Sequence, residues 1–395
     1  MRKRTIEGVL VAVVLAYALT GCSDKINEAG SWLVKYDNTL TPRYFNSDSV
    51  KVTSSQVNLG LANGASNLLC LGKVPWTEAR VLMEFLGLDS VYYASSITSA
   101  QLIFTRGPHT LQPPGTDVRN IQLDGYLMDT TWNSSTYTWD SVSVLTTHGG
   151  TNIILSQPPI SVNDSMVTLN LDTGVVRRWA VATQDTSVKN YGFILIPQNI
   201  MGILNLYSAL STTGVPEIEV ACTINGIADT VRSSSSITTY VAETYPSVYA
   251  PIFAPPNTYR LVQSGTGLRE NLMFDLSQVP NFSIVNFAQL TVYADTLDSL
   301  YYSGSSDSLS AFYIINPATD AISAASFALA TRTGNKYVFN VTTPVQLMLN
   351  HGNYGFMLTR GNEYTNVDTR ILFDENAPDS LKPKLTITYS PAGKR

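Results

Sequence analysis

Apolar and polar positions alternate over short runs along most of this chain, and few stretches keep helical spacing. In the first half, "ARVLMEF", "SAQLIFT", "SMVTLNL", "YGFILIP" and "PEIEVACT" have the length of strands and are rich in β-branched and aromatic residues. The second half repeats the style with "YRLVQSG", "NLMFDLS", "FAQLTVYA", "KYVFNVT", "YGFMLTR" and "PKLTITYS". Gly, Pro, Asn, Asp and Ser separate these runs. Helical spacing is best at residues 173–182 ("TGVVRRWAVA") and 343–352 ("TPVQLMLNHG"), where Pro344 lies near a start that tolerates it. Each predicts one short helix in an otherwise all-β body.

The halves share more than style. Arg80 precedes Phe85 by five residues, as Arg269 precedes Phe274. Ala100 and Leu102 answer Ala288 and Leu290, and Asn170 and Thr173 answer Asn340 and Thr343. Asn190, Tyr191, Gly192 and Phe193 return as Asn353, Tyr354, Gly355 and Phe356. Each half closes on Pro-x-aliphatic-x-aliphatic, from Pro216 and from Pro383. Six landmarks fall in one order, with an offset drifting only from about 190 to about 165, which chance does not produce. The chain therefore reads as a tandem repeat: a first module at 50–227, a second at 237–391, and a junction near 228–236 ("ADTVRSSSS").

The first residues have a separate logic. "MRKR" precedes the apolar "GVLVAVVLAYAL" and then "TGC", a pattern of positive stretch, short apolar segment and small-residue site that marks a secretory signal over 1–21. "LTGC" resembles a bacterial lipobox, which implies lipidation of Cys22 and a membrane partner through the lipid. Ser23 after the cysteine favours the outer membrane. Residues 22–49 are polar and read as the lipidated cysteine and a spacer, although Trp32 and Tyr36 offer rings that could dock on the first module. Losing 1–21 changes the formal charge from -5 to about -7, a mildly acidic mature protein. With 14% charged residues and no basic patch beyond the signal, nucleic acid is not a partner. Cys70 and Cys222 sit in apolar strand-like runs. A disulfide is permitted in the envelope, and two buried free thiols are the plainer reading.

The landmarks resemble the DNRLRE-type module, a secreted jelly-roll-like β-sandwich related to carbohydrate-binding modules. The resemblance rests on "RVLMEF", "SAQL", "WNSSTYTW", "LNLDTGVVRRW", "NYGF" and "PEIEV" in the first half. In the second it rests on "RENLMFDLS", "FAQL", "FNVTTPVQ", "NYGF" and "PKLTITY". It implies two tandem jelly-roll-like sandwiches and polysaccharide binding. The second half departs from the pattern in having no W…TW turn, and no tryptophan follows Trp179. "MEFLGL" lacks the Asp that Asp275 supplies in the other half, and the closing Tyr survives only as Tyr389.

Chemistry follows from these placements. In the repeated motif Gly192 and Gly355 would allow a close backbone approach, while Tyr and Phe, two apart, would share a face and pack the core. Asn190 and Asn353 would bond a loop backbone. Arg80 and Arg269, at strand starts, read as ion-pair partners. Trp132 and Trp139 would stack on sugar rings if exposed or staple a turn if buried, and the staple is the plainer reading. They are the ligand-contact candidates, together with Arg177 and Arg178, which with Lys189 could form a groove for an acidic glycan. The histidines His109, His148 and His351 fall in apparent loops without metal spacing, and no GxSxG, HExxH or P-loop occurs. Carboxylates brought from distant strands could still pair, but the duplicated body leaves no separate catalytic domain. The turns "FDENAPD" (373–379) and "NDSM" (163–166) could hold a structural Ca²⁺, with plain polar turns preferred. The expectation is a non-catalytic envelope lipoprotein without cofactor. It would bind polysaccharide or, alternatively, serve as a structural or adhesive spacer.

Overall fold

The strand that follows each Asn-Tyr-Gly-Phe motif is buried at every position, as a strand in the middle of a sheet must be. The computed structural model describes residues 41–86, 88, 96–143, 150–158, 165–245, 258–295 and 307–391. The signal segment, Cys22, Trp32, Tyr36, His148, Asn163 and Asp164 lie outside them. The described chain is all-β, with antiparallel sheets and short helices.

Two short strands come first, β1 (Arg43–Asn46) and β2 (Val52–Asn58). Then follow β3 (Leu68–Val74), β4 (Thr77–Glu84), β5 (Ser96–Leu111), β6 (Leu123–Leu127) and helix α1 (Trp139–Ser143). Next are β7 (Ile154–Ser156), β8 (Met166–Leu171), α2 (Thr173–Gln184), β9 (Phe193–Pro197), β10 (Gly202–Tyr207), β11 (Glu217–Ile224), β12 (Ile227–Ser234) and β13 (Ile237–Thr244). The second series runs β14 (Tyr259–Gln263), β15 (Leu268–Phe274), β16 (Ile284–Tyr293), β17 (Ser308–Asn316), β18 (Ala321–Thr331) and β19 (Lys336–Asn340). It ends with α3 (Thr342–His351), β20 (Phe356–Arg360), β21 (Thr369–Phe373) and β22 (Lys384–Ser390).

The repeat is visible strand for strand. β9 pairs β4 as β20 pairs β15, and β11 pairs β5 as β22 pairs β16. The motif residues meet one another. Asn190 Nδ2 donates to the carbonyl of Phe85 at 2.8 Å, and Asn353 Nδ2 to that of Phe274 at 2.7 Å. The matching ring pairs, Phe85 with Phe193 and Phe274 with Phe356, lie 6.5 and 6.4 Å apart in their cores. Trp179 on α2 stacks on Phe193 at 5.3 Å. α2 is capped by Asp172, whose Oδ1 accepts from Gly174 N at 2.7 Å, and it buries Val175, Val176, Trp179 and Ala180.

One expectation for the motif fails. Tyr191 and Phe193 do not share a face: Phe193 lies in the main core, Tyr191 in a separate cluster with Leu82, Ile194 and Val241, and Tyr354 is exposed. Gly192 and Gly355, at φ +74° and +84°, break the strand alternation between the two rings. An added Cβ would stand 2.1 Å from the Met83 carbonyl oxygen at Gly192 and 2.6 Å from that of Leu272 at Gly355. Gly192→Ala is therefore expected to destabilise by about 2 kcal/mol or more, read as a lowered denaturation midpoint.

The module boundaries also need correction. β12 pairs β11 and β13 pairs β4, so the first module runs without interruption from β3 to β13 and includes both the supposed junction 228–236 and residues assigned to the second module. The corresponding strands of the second module are β1, on β22, and β2, on β15. Val241 faces Arg80 as Val57 faces Arg269. Residues 43–46, read as spacer, and 52–58, read as first module, thus complete the second. The physical reason is that β15 and β22 would otherwise expose an open edge, and the chain fills it from its own N-terminal side.

The modules are joined by side-chain hydrogen bonds across the seam. Tyr240 Oη donates to Tyr364 O at 2.8 Å, Asn205 Nδ2 to Thr365 O at 2.9 Å, and Gln263 Nε2 to Thr77 Oγ1 at 2.8 Å. Tyr259, Leu261, Val367 and Ile371 enter the first module's core cluster.

Candidate functional site

Trp132 and Trp139 lie half-buried on the outside of the sheet made by β4, β9 and β13. Trp132 Nε1 donates to Tyr191 O at 2.8 Å, its ring meets Tyr137 at 6.2 Å, and Arg80 stands 4.3 Å over the Trp139 ring. The pair staples residues 132–139 onto the first module. Arg177 and Arg178 are exposed on α2, whose buried side belongs to the main core and not to the tryptophan cluster. Arg80 bonds Glu78 at 2.7 Å, and Arg269 makes a bidentate pair with Glu363 at 2.8 and 2.9 Å. Burial pushes the Glu363 carboxyl up despite that arginine.

Cys70 and Cys222 are buried free thiols. His109 is in β5 and not in a loop, and His351 ends α3. In the turn 373–379, Asp374 pairs with Arg260 at 2.7 Å and accepts from Asn376 N at 2.8 Å, while Asp379 pairs with Lys382 at 2.8 Å. Among the described residues, no group of three or more His, Cys, Asp or Glu is placed to hold a metal ion.

The residues that stand together and unburied are on the second module's four-stranded sheet, ordered β1-β22-β16-β19. Its inner face gives Phe45, Ile387, Ala288 and Leu290 to the core. Its outer face follows from the register. Tyr44, Thr388 and Phe287 form one row, and Asn46, Thr386, Gln289 and Asn340 the next. A third row holds Lys384, Thr291 and Val338. Tyr44 is 67% exposed and Phe287 45%. Two strand spacings put these rings roughly 10 Å apart, with a threonine between them. A bulge between Val285 and Phe287 turns Phe287 outward. Phe282, on the loop entering β16, is 67% exposed at φ +61°, a backbone conformation that a bulky residue rarely holds.

The first module's equivalent face is different. It presents Glu217, Glu219, Arg232 and Gln101, with Arg232 paired to Glu219 at 2.5 Å, and no aromatic ring among its described residues. A second exposed strip, Phe327 on Phe312 at 5.2 Å with Leu329, lies on the second module's other sheet. Its amide neighbour Asn271 is tied to Asp320 at 2.8 Å. Among the described residues, the Tyr44–Phe287 face sets rings beside a row of amides and hydroxyls, in which Asn46 Nδ2 donates to Asp48 at 2.8 Å and Asn340 Oδ1 accepts from Thr342 Oγ1 at 2.7 Å.

Sequence reasoning missed these residues for two reasons. Tyr44 stood in a stretch read as spacer, and Phe287 stood in a strand whose alternation the bulge shifts. Alternation in "RYFN" was the available signal: Phe45 goes inward, so Tyr44 and Asn46 go outward.

No family model matches the chain, and no curated protein matches it. Among solved structures, the crystal structure of the infectious bursal disease virus VP2 subviral particle aligns with 90% of this chain and 79% of that one, at 11% identity and a TM-score of 0.11. A likeness at that score carries no argument about fold or function.

Proposed function

We propose that this chain is a non-catalytic cell-envelope lipoprotein, anchored at Cys22 and built of DNRLRE-like modules, that binds a neutral polysaccharide on the outer face of β1-β22-β16-β19. One observation carries the reading: exposed Tyr44 and Phe287 stand on either side of Thr388 in one row, beside the row of Asn46, Thr386, Gln289 and Asn340. Aromatic planes suit the C–H faces of sugar rings, and amides and hydroxyls suit their hydroxyls. The face carries Lys384, already paired with Asp48 at 3.3 Å, so it offers little to an acidic glycan.

The test is affinity electrophoresis of the chain from Ser23 through gels of neutral and acidic polysaccharides. Retardation by a neutral glycan is expected, weakened roughly tenfold by Tyr44→Ala and by Phe287→Ala, a loss of about 1.4 kcal/mol each. Trp132→Ala, which loosens the first module's staple, is expected to keep the affinity. No retardation in any gel, from folded protein, would favour the structural or adhesive role.

A further inference from the structure

The two modules are completed by equivalent strand pairs, but those pairs differ in what holds them. β13 is buried along most of its length and enters the seam through Tyr240, whose Oη donates to Tyr364 O at 2.8 Å. β2, its counterpart, is polar ("VTSSQVN") and half-exposed to fully exposed along its length. Residues 43–58 have no core of their own. They give Phe45, Val50 and Val52 to the second module, pair four positions of β22 and seven of β15, and bond Leu261 and Arg269 backbone through Gln56. They reach the first module through residues 59–67 only, a segment with glycines at 60 and 64.

We propose that a second copy of this chain supplies β1 and β2 to the second module, so that copies join head to tail by exchanging residues 43–58. The contacts made by an exchanged strand pair are those of the closed monomer, so the free-energy difference lies in the linker and in concentration. Residues 59–67, extended, span roughly 30 Å, enough to reach a neighbouring copy once the ties of 63–67 to the first module open: Asn63 Nδ2 to Tyr240 O at 3.2 Å, Ser208 Oγ to Ser66 O at 2.7 Å and Ser208 N to Asn67 O at 3.1 Å. The linker's ties to the second module are few: Leu59 N to Gly267 O at 3.1 Å, and Asn63 Nδ2 to Gly265 O at 2.9 Å. β13 has no such freedom, because withdrawing Tyr240 would open the seam. Exchange is independent of sugar binding. Where the proposed reading of the Tyr44 face holds as well, each binding face is built from two copies.

The experiment uses two full-length variants, Tyr44→Cys and Thr388→Cys, whose positions face each other across β1 and β22. They are mixed, unfolded, refolded together from micromolar to millimolar concentration, and treated with a short bifunctional maleimide. Cross-linked pairs are expected to rise about tenfold or more over that range, since a short linker acts at millimolar effective concentration. Tyr44→Cys mixed with Ile227→Cys, exposed on the first module, is expected to give none. The idea is overturned if no pair forms at any concentration while a chain carrying both cysteines cross-links within itself, or if the Ile227→Cys mixture reacts equally. Light scattering of the unsubstituted chain guards against a misfolded variant. Dimers and larger species after concentrated refolding support exchange, and a monomer at every concentration refutes it.

Discussion

A chain that begins at Leu59 is expected to lose the folded second module, whereas one that begins at Thr41 keeps it. The segment removed looks like a tether, yet it closes two sheets. β1 covers the edge of β22 and β2 covers the full length of β15. Its removal strips seven ladder positions from β15, a strand that also carries Leu272 and Phe274 into the core. Phe45, 4% exposed, leaves a cavity of its own size, and Phe45→Ala alone is expected to cost about 3–5 kcal/mol. Ser47 Oγ, which accepts from Leu385 N at 2.8 Å, also goes. Hydrogen exchange separates the outcomes: amides of β15, β20 and β22 lose protection in the shortened chain, while those of β9 and β11 keep most of theirs. Equal protection in both chains would show that residues 41–58 do not complete the second module.

The repeat was legible because its landmarks act locally. Arg80, Phe85 and the Asn190 motif meet within one module, and so do Arg269, Phe274 and the Asn353 motif, so equal spacing produced equal contacts. Two of the three described short helices were also legible, α2 from its apolar spacing and α3 from its matching position, while the five-residue α1 was not. The closure was not legible, because pairing between neighbours in sequence is the usual rule and here Arg43 pairs with Tyr389. The junction concealed a hairpin whose signal was present. In "TINGIADTV", Asn225 and Gly226 both adopt positive φ, 52° and 82°, the turn that joins two antiparallel strands. The tryptophans attracted a binding role by residue type, while the polar row beside Tyr44 could emerge only from register between strands far apart in sequence.

Stability of the second module is expected to fall as pH rises from about 5 to 8, and Glu270 is the cause. Glu270 lies on β15 among the inward positions Leu268, Leu272 and Phe274. It is fully buried, and neither carboxylate oxygen has a hydrogen-bond partner. Desolvation pushes its pKa up to about 8 from the usual 4.5. Arg260 opposes this, already committed to Asp374 at 2.7 Å, while Asp374 and Glu375 add to it. The folded state thus holds a proton that the unfolded chain releases above about pH 4.5, so stability is greatest below that pH and declines until Glu270 ionises in the fold near pH 8. The rise from the usual 4.5 to about 8 sets an upper bound of about 5 kcal/mol, at roughly 1.36 kcal/mol per pH unit. Glu363 and Asp374, also pushed up by burial, act in the same direction. Glu270→Gln should flatten most of the decline and raise the urea midpoint at pH 8. Glu270→Val, which matches Val81 in the first module, should raise it further because no unpartnered polar atom stays buried. Midpoints at pH 5, 6.5 and 8 decide the matter, and a wild-type midpoint that stays level or climbs with pH would remove Glu270 from the account. Glu270 faces Gln56 on β2, so its ionisation acts on the strand proposed to exchange. Exchange measured through Tyr44→Cys and Thr388→Cys should accordingly be faster above pH 8 than at pH 6, and the Glu270→Gln background should remove that difference.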